Sequence, residues 1–186
     1  MAGVIEKQAK RWTYEEYYLL EDDGRYEIID GNLLMAPAPD VWHQDWIGNL
    51  HFFLRQFLAR KEMGRLFLSP IDVVLDAENT VQPDLVFVAR ANAGIIQKRA
   101  IFGTPDLVVE FVSASGVRRD RYVKKELYAR FGVKEYWIGD PANRSLEILV
   151  LKDGDYRLHG AAEEKGELTS VVLEGLRFDL EKICPE

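Results

Sequence analysis

The sequence of 186 residues predicts a mixed α/β fold, and three observations carry that reading. Two short apolar runs, Val81-Gln82-Pro83-Asp84-Leu85-Val86-Phe87-Val88 and Pro105-Asp106-Leu107-Val108-Val109-Glu110-Phe111-Val112, are rich in β-branched and aromatic residues and bounded by turn formers. Both therefore read as buried strands. A helical pattern from Arg118 to Phe131 separates the second run from a third strand, Glu135-Tyr136-Trp137-Ile138-Gly139, an order that implies a parallel pair with the helix packed on the sheet. Hairpin signals dominate the rest.

Taken in order, Thr13-Tyr14-Glu15-Glu16 has the capping-box pattern and opens a short helix through Leu20, stopped by Asp22-Asp23-Gly24. Arg25 to Ile29 alternates, turns at Asp30-Gly31 and resumes as Asn32-Leu33-Leu34-Met35 before Pro37 and Pro39, which is a hairpin that carries Glu27. Asp40 caps a longer helix to about Met63, with Ile47, Leu50, Leu54, Phe57 and Leu58 at helical spacing and Gly64 as the C-terminal glycine. His43 lies one turn before Ile47, near the core-facing side. Arg65 to Asp76 is a strand candidate interrupted at Ser69-Pro70, with Asp72 on its solvent side. Residues 89–104 connect to the second apolar run with one helical turn, and Ser113-Ala114-Ser115-Gly116 forms a loop after it. The helix that follows places Val123, Leu127 and Phe131 on one side and ends at Gly132. Ser145 to Leu151, Tyr156 to His159, Leu168 to Val172 and Leu176 to Phe178 predict a β-meander. The length favours a single domain over 1–186, with a core of about 13–151 and a β-rich C-terminal part of about 145–180.

Composition narrows the class. Hydrophobic residues at 47% and charged residues at 30% fit a soluble globular chain, and no stretch has the length to cross a bilayer. The amino terminus lacks an apolar h-region, so a cytoplasmic protein is expected. Cys184 has no partner cysteine, and no Cys/His cluster offers a zinc site. The net charge of −7 argues against a surface that grips nucleic acid everywhere. A local basic face nevertheless runs through Arg118, Arg119, Arg121, Lys124, Lys125, Arg130 and Lys134. Arg118, Arg119, Arg121 and Lys125 are its candidate DNA contacts, and a solvated helix face would look the same.

Three acids and a lysine form the candidate site. Glu110 lies inside an apolar run, where an ionised carboxylate is costly without a cation or several donors. Asp84 stands at the mouth of the neighbouring run, Glu27 on the hairpin and Lys124 on the crossover helix. If the strands are adjacent, these groups converge. Carboxylates without histidine or cysteine suit Mg²⁺ or Mn²⁺, and a nearby lysine can steady the attacking water or the charge on phosphorus, which is the equipment of metal-assisted phosphodiester hydrolysis. Structural readings stay open beside this one. Asp84 can be a strand-edge acid, and Glu110 can be neutralised by an arginine such as Arg25 or Arg118. Lys124 can make a surface pair with Asp120 worth about 0.3–0.5 kcal/mol. His43 can be a hydrogen-bonded core residue, and Tyr128 can simply pack.

The pieces Tyr26-Glu27-Ile28-Ile29-Asp30-Gly31, His43, Gln82-Pro83-Asp84-Leu85, Pro105-Asp106-Leu107-Val108-Val109-Glu110, Asp120 with Lys124 and Tyr128, and Gly132-Val133-Lys134-Glu135-Tyr136-Trp137 together resemble the Uma-two family. These are bacterial proteins described as restriction endonucleases, within the PD-(D/E)XK nuclease superfamily, and the resemblance spans roughly Tyr14 to Leu151. It implies a restriction-endonuclease-like fold: a central mixed sheet flanked by helices, with a β-rich C-terminal extension. Asp84 and Glu110 match the two metal-binding acids, and Glu27 the additional upstream acid. The superfamily lysine, two residues after the second acid, is here Val112, and Lys124 stands at the position matching a lysine moved to the next helix. The resemblance implies an Mg²⁺- or Mn²⁺-dependent DNA endonuclease or nickase leaving 5′-phosphates and 3′-hydroxyls. His43 and Tyr128 would support the site, and a homodimer would cut both strands. The alternative is a catalytically silent nuclease-fold protein that binds DNA or a protein partner.

Overall fold

The computed structural model describes residues 10–22, 24–36, 38–112 and 119–185. Helix α1 (Tyr14–Tyr18) starts at a complete capping box: Thr13 accepts from the Glu16 N–H while the Glu16 carboxylate takes the Thr13 N–H. Strands β1 (Tyr26–Ile29) and β2 (Asn32–Met35) form the predicted hairpin, with Asp30 and Gly31 at φ 49° and 75°. Two left-handed residues in a row give the turn a twist that matches the strands.

Helix α2 (Val41–Leu58) is capped by Asp40, whose side chain accepts from the His43 N–H. It stops five residues short of Met63, and Gly64 is not its cap. Gly64 opens β3 (Gly64–Leu68), paired with Ala89, where a Cβ would lie 2.2 Å from the Val88 carbonyl oxygen. The glycine serves a close strand contact instead.

Strands β4 (Val73–Asp76), β5 (Asn79–Val81) and β6 (Leu85–Ala89) follow, then a 3₁₀ turn Arg90–Ile95, β7 (Ile101–Phe102) and β8 (Leu107–Phe111). A π-helical turn Arg119–Lys124 leads into α3 (Lys125–Phe131), which Gly132 ends at φ 79°. The chain finishes with β9 (Glu135–Asp140), β10 (Ser145–Lys152), β11 (Asp155–Glu163), β12 (Glu167–Thr169), β13 (Arg177–Asp179) and a last 3₁₀ turn Leu180–Lys182.

The larger sheet runs β11-β10-β9-β8-β6-β3, and its one parallel pair is β8–β9, bridged by α3 as the crossover order required. A smaller sheet runs β2-β1-β5-β4-β7. Side-chain alternation sorts the core. Leu85, Phe87, Leu107, Val109 and Phe111 face α2 and the β12–β13 ribbon, whereas Val86, Val88, Val108 and Val112 face α3 and the smaller sheet. The architecture is a central mixed sheet between helices.

Several sequence expectations change. Val81 to Val88 is not one strand: Val81 closes β5 in the smaller sheet, Leu85 opens β6 in the larger, and Gln82-Pro83-Asp84 steps between them. Pro83 has no N–H to continue a ladder, so the chain leaves one sheet there. Residues 65–76 divide in the same way across Ser69-Pro70. The β-meander is divided as well, because β10 and β11 extend the larger sheet and only β12 and β13 pair separately. Val123 is exposed, since the π turn rotates the helix faces and sends Lys124 inward. Asp72 is half-buried and accepts a hydrogen bond from Gln82, and burial pushes its carboxyl above the usual range. Arg118 and the Ser113-Gly116 loop lie outside the described residues. Among the described residues no helix is long and apolar enough to cross a membrane.

Candidate functional site

The pocket forms where the two sheets part. Antiparallel β6 and β8 pair Leu85 with Val109 and Val86 with Val108, and one further step of that register sets Asp84 across from Glu110. Asp84 is fixed at both oxygens: Oδ2 accepts the Phe111 N–H at 2.7 Å, and Oδ1 lies 3.1 Å from His43 Nε2. His43 comes from the first turn of α2, on one side of the sheet, and Glu110 faces α3 on the other.

Lys124 joins the acids. Its Nζ lies 2.8 Å from Glu110 Oε1 and 2.8 Å from Glu27 Oε1, and the residue is 3% exposed. Tyr128 Oη donates to Glu110 Oε1 at 2.7 Å, and the Gln82 N–H donates to Glu27 Oε1 at 2.9 Å. The π turn accounts for this convergence, because its wider winding keeps Asp120 and Lys124 both buried on the sheet side, and Tyr128 follows four residues on. Val112 is buried in the apolar layer that α3 covers, so the amine at Glu110 comes from the helix rather than from the strand.

Burial sets the electrostatics. It pushes the Glu110 carboxyl upward, with Lys124 opposing and Asp120, Asp84 and Glu27 adding to the rise. Asp120 is raised by burial too, with Lys124 and Arg119 opposing. For Glu27 burial acts upward, but Lys124, the Gln82 N–H and Arg119 outweigh it and hold the carboxyl below its usual range. Burial lowers the Lys124 amine, and Glu110, Glu27 and Asp120 more than reverse that, leaving it well above an ordinary lysine. Lys124 is therefore a permanent cation near neutral pH. Tyr128 is raised by burial and stays a donor.

The pocket measures about 320 Å³ and is lined by Arg25, Glu27, His43, Gln82, Asp84, Glu110, Arg119, Asp120 and Lys124 among others. Five carboxyls, those of Glu27, Asp40, Asp84, Glu110 and Asp120, line it against Lys124, Arg25 and Arg119, so acids outnumber cations. Its donors are hard oxygens, and Glu27 Oε2 is buried without a hydrogen-bond partner. That chemistry fits a divalent ion of the Mg²⁺ type, which needs only one or two carboxylates besides water and phosphate oxygens. Among the described residues no three acids or histidines already stand as a cage.

Of the basic residues read as DNA contacts, Arg119 lines the pocket and turns toward Glu27 and Asp120. Arg121 is engaged elsewhere, 2.5 Å from Glu147 and 3.6 Å from Asp140. Lys125 is half-buried and outside the lining. Arg25 does not neutralise Glu110, since it donates to Gln82 instead, at 3.1 Å, and Arg118 lies outside the described residues. Sequence reasoning missed Asp120 and Gln82 as pocket residues. The signal for Asp120 was its place four residues before Lys124, a spacing shared by any exposed helix pair.

Two other buried acids, one in β9 and one just before β8, show what a structural carboxylate looks like here. Glu135 is fully buried and takes four neutral donors, Trp137 Nε1, Ser170 Oγ and the N–H groups of Val171 and Val172. Asp106, which like Asp84 follows a proline, accepts from the Ala89 N–H, Asn92 and Lys134. Both are satisfied away from the pocket.

A protein-family profile described as "Uma2: Putative restriction endonuclease" matches residues 13–181. The chain is also similar to a solved crystal structure described as "a putative nuclease belonging to DUF820 from Anabaena variabilis ATCC 29413". The two share 15% identity over 92% of this chain and 96% of that one, with a TM-score of 0.75. At that identity the likeness establishes the fold. No curated protein matches.

Proposed function

From the premise that this chain belongs to the Uma2 family, whose profile covers most of its length, we propose that the pocket is the active centre of a divalent-metal-dependent DNA endonuclease or nickase. One observation carries the reading: a buried lysine bridges Glu110 and Glu27 beside Asp84, in a pocket with more carboxyls than cations. Asp84, Glu110 and Glu27 would hold Mg²⁺ or Mn²⁺. When bound, such an ion polarises a phosphoryl oxygen and makes its water more acidic.

The chain's own groups have distinct roles. Asp84 is pre-oriented by His43 and the Phe111 N–H, so its oxygens need little reorganisation to receive a cation. Lys124 keeps its proton and so acts by charge, orienting the attacking water and stabilising the extra negative charge that develops on phosphorus. Tyr128 fixes the Glu110 carboxyl from the side away from substrate. Arg25 and Arg119 present positive charge to the phosphate at the pocket lining. Water adds to phosphorus as the bond to the 3′ oxygen breaks, and the 3′ oxygen takes up a proton, giving a 5′-phosphate and a 3′-hydroxyl. Two copies of the chain would supply one pocket for each strand.

The test is supercoiled plasmid incubated with Mn²⁺ or Mg²⁺ and the native chain, Asp84→Ala or Lys124→Ala. Nicking or linearisation by the native chain alone is expected, whereas equal activity in all three samples would refute the assignment. A binding-only protein of nuclease fold is favoured by one observation: Lys124 already bridges Glu110 and Glu27, taking up oxygens that a cation would need. Mn²⁺ binding that depends on Asp84 and Glu110, with no cleavage of any nucleic acid, would decide for that alternative.

A further inference from the structure

Gln82, at the step between the two sheets, makes four hydrogen bonds. Its backbone N–H goes to Glu27, and its side-chain amide is engaged at both ends. Nε2 donates to Asp72 Oδ1 at 2.8 Å and to Tyr17 Oη at 3.1 Å, while Oε1 accepts from Arg25 Nε at 3.1 Å. The amide cannot be turned the other way, because a guanidinium nitrogen only donates and so requires the carbonyl. Arg25 is thereby held twice: the Ala36 N–H donates to its backbone carbonyl at 2.8 Å, and Gln82 takes Nε. Its two Nη groups make no hydrogen bond among the described residues, and Arg25 lines the pocket.

The charge of the partner sets Arg25 apart. Lys124 bridges two carboxylates, and Arg119 lies within 4 Å of Glu27 and Asp120. Outside the pocket, Arg121 and Arg130 meet Glu147 at 2.5 Å and Asp30 at 2.6 Å. Arg25 alone among the pocket cations is held by a neutral group, so its charge stays uncompensated among the described residues.

We propose that Gln82 is a positioning residue that aims Arg25 at a phosphate of the nucleic-acid backbone, and that Asp72 and Tyr17 lock the amide that does so. The proposal rests on the nucleic-acid reading of the pocket and deepens it. A carbonyl fixes the guanidinium without cancelling its charge, whereas a carboxylate in the same place would weaken its pull on phosphate. The Nη edge left over is the planar, doubly donating part that suits phosphate oxygens. Asp72, just before β4, and Tyr17, on α1, do not line the pocket, so the brace comes from residues that substrate does not touch. An arginine already fixed in place loses less side-chain freedom when the phosphate arrives.

The experiment is fluorescence anisotropy of a short fluorescein-labelled DNA duplex titrated with the full chain in CaCl₂, over a series of KCl concentrations. The native chain, Gln82→Met, Arg25→Met and the double variant are compared, and circular dichroism melting of each reports on folding. Each phosphate contact contributes about 0.9 to the slope of log affinity against log salt, a quantity that a purely structural role leaves unmoved. Arg25→Met should weaken binding on the order of tenfold and flatten the slope by about one. Gln82→Met should weaken binding by about three- to tenfold and flatten the slope likewise, although the charge itself remains. The double variant should bind no more weakly than Arg25→Met, because both changes remove the same contact. The proposal is overturned if Gln82→Met keeps the native slope, or if the two losses multiply in the double variant. Should Gln82→Met melt far below the native chain, nuclear magnetic resonance of the native chain decides. The Arg25 Nε–H signal, identified by its loss in Arg25→Met, should exchange slowly with water, and fast exchange overturns the anchoring. A native chain that binds the duplex but nicks no plasmid with Mn²⁺ sinks the catalytic reading alone; one that binds no DNA sinks both.

Discussion

Lys124 Nζ lies 2.8 Å from Glu110 Oε1, and both residues are buried, the lysine on a π-helical turn and the glutamate in the central sheet. The pair is also held from outside itself, because Glu27 shares the amine and Tyr128 shares the carboxylate oxygen. Removing one partner leaves charge stranded in the interior.

Lys124→Met should therefore destabilise the fold by about 3–5 kcal/mol, the range seen when one member of a buried pair is deleted. Adding Glu110→Gln to the same chain should return part of that loss. Urea unfolding of the two variants checks this, and a double variant less stable than Lys124→Met would show that the lysine is not stabilised by Glu110.

His43 orients Asp84 through Nε2 at 3.1 Å. Groups that aim a metal-binding carboxylate typically change metal affinity by about 10–100-fold when removed. His43→Ala is expected to weaken Mn²⁺ binding within that range while the far-ultraviolet circular dichroism stays native. An unchanged affinity would leave His43 with a packing role against Phe111.

Asp106 gives the stability a pH dependence. Burial acts to raise its carboxyl, but hydrogen bonds from Lys134, the Ala89 N–H and Asn92 outweigh burial and hold it below the usual range. A group with a depressed folded value contributes stability that is complete above its unfolded value and is lost as the pH falls through the folded one. The stability gap between the native chain and Asp106→Asn should accordingly be constant near neutrality. It should narrow as the pH drops below about 4, where an unfolded aspartate protonates. Denaturant titrations across that range measure it, and a gap that widens on acidification contradicts the account.

Glu135 pins the segment at 170–172 to the sheet, its Oε2 accepting from Ser170 at 3.0 Å, Val171 at 2.9 Å and Val172 at 2.7 Å. Glu135→Ala orphans these donors together with Trp137 Nε1, and a loss of about 3 kcal/mol or more is expected, since each stranded buried donor costs on the order of 1–3 kcal/mol. Hydrogen exchange at the Val171 and Val172 amides should accelerate ahead of the rest of the sheet. Uniform exchange would place the anchoring elsewhere.

By itself the sequence determined what is decided over a few neighbouring residues: the Thr13–Glu16 capping box, the Asp30-Gly31 hairpin turn, the Asp40 cap, the buried strand from Leu107 to Phe111 and the parallel crossover from β8 to β9. It also singled out Glu110 as an acid in need of company, because a carboxylate in an apolar run is costly wherever the chain goes. Only the tertiary structure decided which company each acid keeps. Glu110 has Lys124 and Tyr128 while Glu135, in the next strand, has four neutral donors, three of them from residues at least thirty-five positions away. The division of Val81 to Val88 between two sheets, and the inward turn of Asp120 and Lys124, were equally out of local reach. Both depend on which surface packs against the segment, and in a sheet or a helix that surface is supplied by distant parts of the chain.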